Sequence, residues 1–314
     1  MRKTTLIGLL IILAIAPSAW AEILSRSAVV IEADTGKVLF AKNPELRLPP
    51  ASTTKLMTAM VALDRLNIND TTIISKRASM APPTKANLIP GERVTIGTLL
   101  YAALIESAND AAVALAEAAA GSEAEFVKLM NRKVALMGLK NTRFINPNGL
   151  PGKGQYTTAS DLAQILKRAL QYPEIREIIS TKEVEVSTGT GRTIFLENTN
   201  KLLGVDRDLI GGKTGYTRRA RHCFVCAGER GDSVIIVALL GTPSRELLWK
   251  ETEQLMQRGF RTITGDLEPV VYITPTDYSP VKKISYKKRP KLQISTPNRA
   301  KKTTKRAKQR HDRT

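Results

Sequence analysis

Apolar residues run in short stretches near both ends of the chain and recur at helical spacing between them. Ser27 to Glu32 and Lys37 to Ala41 flank Asp34-Thr35-Gly36, which predicts a two-stranded hairpin. Pro49-Pro50-Ala51 stops the extended run. Leu56, Met57, Met60, Val61 and Leu63 then predict a helix from Ser52 to about Leu66, apolar on more than one stripe and so buried. Ile96 to Ile105 is a second helical run, broken at Glu106-Ser107-Ala108-Asn109. Asn109 is placed to cap the Ala-rich helix Asp110 to Ala120, which Gly121 closes. Further helices are expected at Glu123 to Met137 and Ser160 to Leu170, and strands at 183–187 and 193–197 around a Thr-Gly-Thr-Gly turn. Lys213 opens a strand region that Cys223 to Ala227 continues. Ser233 to Leu240 is the strongest strand signal, and Arg245 to Phe260 an amphipathic helix. Residues 76–94 read as a Pro-rich loop, and Asn146 to Gly152 as an irregular surface loop. Strands at both ends with helices between them predict an α+β fold, an antiparallel sheet flanked by helices with an inserted helical region.

The ends of the chain differ from this body. Arg2 and Lys3, the apolar run Leu6 to Ala16 and Ala19-Trp20-Ala21 read as a secretory signal over 1–21, cleaved before Glu22. The apolar run falls short of the ~20 residues that span a bilayer. Export implies an oxidising compartment, periplasm or the outer face of the cytoplasmic membrane. The catalytic domain is expected over 22–265. Beyond it, 266–314 read as a Pro-containing linker and a disordered basic tail. Residues 281–314 hold 14 Lys or Arg against a single acid, Asp312, so the basic excess of a chain carrying +19 is concentrated there. Such a tail suits contact with an anionic membrane or wall polymer, while export argues against nucleic acid. Cys223 and Cys226, three apart on a strand, face opposite ways and read as core thiols, not a disulfide. With two histidines, neither near another candidate ligand, no metal site is expected.

Three short words carry the chemistry: Ser52-Thr53-Thr54-Lys55, Ser107-Ala108-Asn109 and Lys213-Thr214-Gly215. Ser-x-x-Lys recurs at Ser279 to Lys282 and Ser285 to Lys288 without a following apolar helix, so order and setting give the signal its weight. A serine hydroxyl needs a base to become a nucleophile. Residues three apart share a helix face, so Lys55 stands beside Ser52 as its general base. Burial and a second cation, Lys213, would keep Lys55 neutral enough to act. Ser107 is assigned as proton relay, and Asn109 holds Lys55 or the substrate amide. Lys213 and Thr214 offer a charge and a hydroxyl to a substrate carboxylate. Gly215 leaves the strand edge clear for a peptide lying alongside.

These words, with Pro49 to Thr58 and Glu106 to Ala112, resemble the D-alanyl-D-alanine carboxypeptidases of the S11 peptidase family, low-molecular-weight penicillin-binding proteins, over about residues 24–262. Asn198-Thr199-Asn200-Lys201-Leu202-Leu203 and Gly212 to Thr217 are further family-like segments. The resemblance implies a β-lactamase-like fold and a two-step reaction on peptidoglycan stem peptides. Ser52 attacks the carbonyl between two D-alanines, the terminal D-Ala leaves and water releases the acyl group. It places the oxyanion hole at the backbone N–H groups of Ser52 and Tyr216, implies acylation by penicillin, and implies no cofactor.

Three features depart from the family pattern. Arg218-Arg219-Ala220-Arg221-His222 replaces small residues and a glycine. An arginine of the C-terminal helix that holds the terminal carboxylate in some relatives aligns with Leu248, one turn after Arg245. After the catalytic domain only the basic tail is expected, with no counterpart of the family's C-terminal β-rich domain or amphipathic anchor.

Other functions are weighed beside this one, the DD-endopeptidase standing nearest to it. A DD-endopeptidase would use the same groups on cross-links. A class A β-lactamase would need a Glu-x-x-Leu-Asn loop, which the chain lacks. A histidine triad has only His222 and the tail residue His311 to draw on. An idle wall or membrane-surface binder would leave the three words without a purpose.

Overall fold

The computed structural model describes residues 22–273. Strands β1 (Ser27–Glu32) and β2 (Val38–Lys42) form the expected hairpin. A single 3-10 turn, Ala51–Thr54, leads into α1 (Lys55–Leu63), so Ser52 lies in the tight turn ahead of the α-helix and not within its first turn. Just ahead of the stretch expected to be loop lies β3 (Thr71–Ile73); within that stretch are the short α2 (Lys76–Ser79) and the start of β4 (Arg93–Thr95). β3 and β4 pair in a small ribbon too short for a periodic signal. α3 (Ile96–Tyr101) runs into a π turn, Ala102–Glu106, which ends at Ser107 in the left-handed region, φ 69°. Widened turns of this kind are frequent at functional sites.

α4 (Asn109–Ala120) follows, then α5 (Glu123–Leu136), α6 (Ala159–Ala169) and α7 (Pro173–Ser180). The sequence reading missed α7, whose two turns are short for a periodicity argument. β5 (Glu183–Ser187) and β6 (Thr193–Glu197) form a two-stranded ribbon. β7 (Leu209–Thr217), β8 (Arg221–Arg230), β9 (Ser233–Thr242), α8 (Arg245–Ile263) and β10 (Val270–Tyr272) complete the chain.

Hydroxyls cap several of the helix starts. Thr95, Ser122, Thr158 and Ser244 each accept from a backbone N–H three residues on, as capping chemistry requires. Asn109 does not cap α4. Ala108 holds that position without a side-chain bond, and the Asn109 amide is engaged elsewhere.

The main sheet has the order β10-β2-β1-β9-β8-β7, antiparallel except for the parallel β10–β2 pair. Alternation divides its residues between two cores. Ala28, Val30, Val237 and Cys226 pack with Leu248, Leu255, Met256 and Phe260 of α8. Val29, Ile31, Ala238 and Cys223 face the helical region built from α1, α3, α4 and α6. Both cysteines are free and buried on opposite faces. The sheet extends past residue 265: Val270, Val271 and Tyr272 pair with Phe40, Ala41 and Lys42, a strand too short to show in the sequence pattern. The segment 1–21, expected to be a signal, and the expected basic tail 281–314 lie outside the described residues. Among those described, no helix is long and apolar enough to cross a membrane. β7 is one of the two edge strands of the sheet. Its outer side meets the turn that carries Ser52.

Candidate active site

Ser52, Lys55, Ser107, Asn109, Lys213, Thr214, Gly215 and Tyr216 come from three regions of sequence and meet between the sheet edge and the helical region. The cavity there is about 330 Å³ and is lined by Ser52, Glu106, Ser107, Thr214, Gly215 and Tyr216, among others. Lys55 and Lys213 are wholly buried, and Asn109 nearly so.

Lys55 Nζ has three neighbours: Ser52 Oγ at 3.0 Å, Asn109 Oδ1 at 2.8 Å and the Asn148 carbonyl at 2.8 Å. Two of these are oxygens that only accept. The third, a hydroxyl, can also donate. Asn109 is fixed in this sense because its Nδ2 donates to the carbonyls of Pro82 and Pro83, both at 3.0 Å. A neutral amine therefore fits the site with its two N–H bonds on the amide and the carbonyl, leaving its lone pair on the serine proton. Burial holds the Lys55 pKa well below the ordinary lysine value, and Lys213 adds to the effect; Asp110 opposes it.

The backbone around Ser52 is constrained. Ala51 has φ 49°, an uncommon region for a residue with a Cβ. A Cβ at Gly149 (φ 84°) would lie 1.9 Å from the Ala51 carbonyl oxygen, so only glycine lets that loop pass under the nucleophile. Pro147, Asn148 and Gly149 are buried, and Thr58 donates to the Pro147 carbonyl at 2.6 Å. The segment expected to be a surface loop is thus a wall of the site. Its polar composition looked like solvent exposure but serves hydrogen bonding to buried partners. Across the cleft, a Cβ at Gly215 would come within 2.8 Å of the Ser52 nitrogen and 3.1 Å of the Thr53 nitrogen. β7 can approach Ser52 this closely only at a glycine.

Burial brings the Lys213 pKa down to about 7. Its Nζ donates to the Thr214 carbonyl at 3.1 Å. Being wholly buried, it offers a ligand in the open cleft its field, while Thr214 lines the wall directly. The Thr214 and Thr199 hydroxyls are 2.6 Å apart, and the Thr199 N–H donates to the Ile105 carbonyl, tying β7 to the π turn. Ser107 lines the cavity close to the end of that turn. Burial, followed by the Asp110 charge, pushes the Glu106 carboxyl upward. Asp110 itself accepts from the backbone N–H groups of Ala86, Leu88 and Ala111, bracing the loop above the cleft.

The sequence profile of the D-alanyl-D-alanine carboxypeptidase family, Peptidase S11, matches residues 14–244. The chain belongs to that family. It is similar to the D-alanyl-D-alanine carboxypeptidase DacF of Bacillus subtilis, 39% identical over 254 residues, covering 76% of this chain and 65% of the relative. It is also 38% identical over 208 residues to a D-alanyl-D-alanine endopeptidase of Pseudomonas aeruginosa, covering 65% of this chain and 67% of that one. The chain thus spans about two thirds of the length of these relatives. Among solved structures it resembles the Streptomyces K15 DD-transpeptidase, with TM-score 0.71 and 30% identity, covering 76% of this chain and 98% of that one. A D-alanyl-D-alanine carboxypeptidase from Mycobacterium tuberculosis H37Rv gives TM-score 0.73 and 32% identity, covering 81% and 96%. The fold is that of the DD-peptidases and penicillin-binding proteins.

Within that fold, Arg245 and Leu248 both line the cleft, with Trp249 and His222. Leu248 is buried as packing, which leaves Arg245 as the cation of α8 facing the site. The His222 ring packs on Tyr216, centroids 4.5 Å apart, whereas the Ser52 hydroxyl is bonded to Lys55. Asn148 and Arg245 are the site residues that sequence reasoning left unassigned. The first contributes through a backbone carbonyl, which no motif records. The second needed the helix register.

Proposed function

We propose that this chain is a serine-type D-Ala-D-Ala carboxypeptidase that removes the terminal D-alanine from peptidoglycan stem peptides through an acyl-enzyme on Ser52. The observation that carries the reading is the Lys55 amine, buried, bonded to Ser52 and held by two fixed acceptors. Neutral Lys55 takes the Ser52 proton as Oγ adds to the carbonyl between the two D-alanines. The backbone N–H groups of Ser52 and Tyr216 stabilise the oxyanion. The proton passes by way of Ser107 to the leaving amine, D-alanine departs, and water then cleaves the ester. Thr214, with Arg245 and the field of Lys213, holds the terminal carboxylate. Penicillin presents a similarly placed carboxylate and acylates the same serine.

The site acts on wall material, so the protein works after export, with residues 1–21 as its signal. The charge of residues 281–314 supports contact with an anionic membrane or wall polymer. Deleting them should abolish sedimentation with anionic vesicles at low salt while hydrolysis persists; unchanged sedimentation refutes that contact.

A DD-endopeptidase is the second reading, supported by the similarity to the Pseudomonas endopeptidase. Digestion of purified muropeptides separates the two. Free D-alanine from pentapeptides is the carboxypeptidase result; monomers released from dimers, without free D-alanine from pentapeptides, would replace it with the endopeptidase reading.

A further inference from the structure

The turn joining β7 to β8 carries Arg218 and Arg219, and Arg221 opens β8 directly after it, all exposed. None of the three forms a side-chain hydrogen bond or ion pair among the described residues. The three positive charges lie within four residues of chain, so they add at this end of the strand. The charge of Glu246 is felt by His222 and Arg245. The turn continues the strand that borders the catalytic cleft: Gly215 and Tyr216 line it, and Thr217 is the last strand residue before Arg218.

The position of the turn relative to a bound peptide follows from the strand. Close approach of Gly215 to the Ser52 nitrogen puts the scissile carbonyl beside Gly215 and Tyr216. With the terminal carboxylate at Thr214, the rest of an extended peptide runs antiparallel to β7, toward Thr217 and the turn. Thr214 to Arg218 is about 14 Å at roughly 3.4 Å per residue. The third residue from the peptide's C-terminus therefore lies about 7 Å along the strand, and the next about 10 Å. Both are within the span of an arginine side chain based in the turn. An acidic side chain or a free backbone carboxylate on those residues would be the natural partner for the guanidinium forks.

We propose that Arg218, Arg219 and Arg221 form a second anion subsite, which selects stem peptides carrying free carboxylates on the acyl side of the scissile bond over the same peptides with those groups amidated. This rests on the DD-peptidase reading and deepens it by assigning substrate choice to a turn that takes no part in the chemical step.

The test uses two synthetic pentapeptides ending in D-Ala-D-Ala. They are identical except that the carboxylates on the second and third residues are free in one and carboxamides in the other. At low salt the wild-type enzyme should show kcat/KM about tenfold higher for the free form, the size expected of two or three partly exposed ion pairs acting together. Raising salt from about 0.01 to about 1 M, which shortens the screening length from about 30 to about 3 Å, should bring the ratio close to one. The triple variant R218Q/R219Q/R221Q should lower the low-salt ratio to within roughly twofold. Its rate of penicillin acylation and its Tm should remain at wild-type values. Equal kcat/KM for both peptides in the wild type at low salt, or a preference that survives high salt or the triple variant, overturns the subsite and leaves the peptidase reading standing. Failure of the wild type to cut either peptide removes that reading, and the subsite with it.

Discussion

Replacing Lys55 with methionine removes the amine and retains much of the side-chain length. Two buried acceptors, Asn109 Oδ1 and the Asn148 carbonyl, lose their donor, each at a cost of about 1–3 kcal/mol. Against this, a wholly buried amine no longer has to be desolvated. These terms oppose each other, so the fold survives and its Tm is a direct control. Catalysis has no such compensation. Ser52 loses the only side chain bonded to its hydroxyl among the described residues, and general-base assistance is worth about 10²–10⁴ in rate. At ~1.4 kcal/mol per factor of ten, that is about 3–5 kcal/mol of activation free energy. The assay is the rate of covalent labelling by a fluorescent penicillin under single-turnover conditions, followed against pH. In the wild type the rate should fall on the acid side as Lys55 takes up a proton, and in Lys55→Met that limb should vanish along with most of the rate. Acylation of the folded variant within about tenfold of wild type would refute Lys55 as the base.

Other consequences of the structure are open to measurement. Gly215→Ala places a methyl against the backbone nitrogens of Ser52 and Thr53, which must move, so acylation should drop by about 100-fold with the fold intact; an unchanged rate contradicts the close approach of β7. Lys213, with its pKa near 7, loses its charge as pH rises through that value, so kcat/KM for a carboxylate-terminated peptide should decline on the alkaline side. A bound carboxylate favours the charged form, so the corresponding limb of kcat should lie at higher pH; coincident limbs would count against Lys213 acting on the carboxylate. Glu251 of α8, 2% exposed, accepts from the N–H groups of Leu24 and Ser25 and from the Ser25 hydroxyl. Glu251→Ala should cost about 3 kcal/mol, roughly 10 °C in Tm, without altering the acylation rate; an unchanged Tm would deny that anchor.

The sequence carried much of the fold and the site for identifiable reasons. Hairpin β1–β2, ribbon β5–β6 and strand β9 have clear turn residues or long apolar runs, so their limits were legible. Ser52, Ser107 and Lys213 were found because their chemistry depends on side-chain type in a fixed local order. Features that rest on backbone groups were not legible. The Asn148 carbonyl bonded to Lys55 belongs to a Pro- and Gly-containing stretch whose composition imitates a solvated loop. Asn109 has the composition of a helix cap, yet tertiary demand from Lys55 takes its carbonyl oxygen and the Pro82 and Pro83 carbonyls take its nitrogen. β10 and α7 are too short for periodicity to register, and only pairing or packing with distant segments defines them.

Mass spectrometry of the intact protein and its peptides after treatment with labelled penicillin tests the central claim most directly. A single adduct, confined to the peptide containing Ser52 and absent from Ser52→Ala, is the predicted outcome. An adduct on any other residue, or labelling that persists in Ser52→Ala, would contradict it.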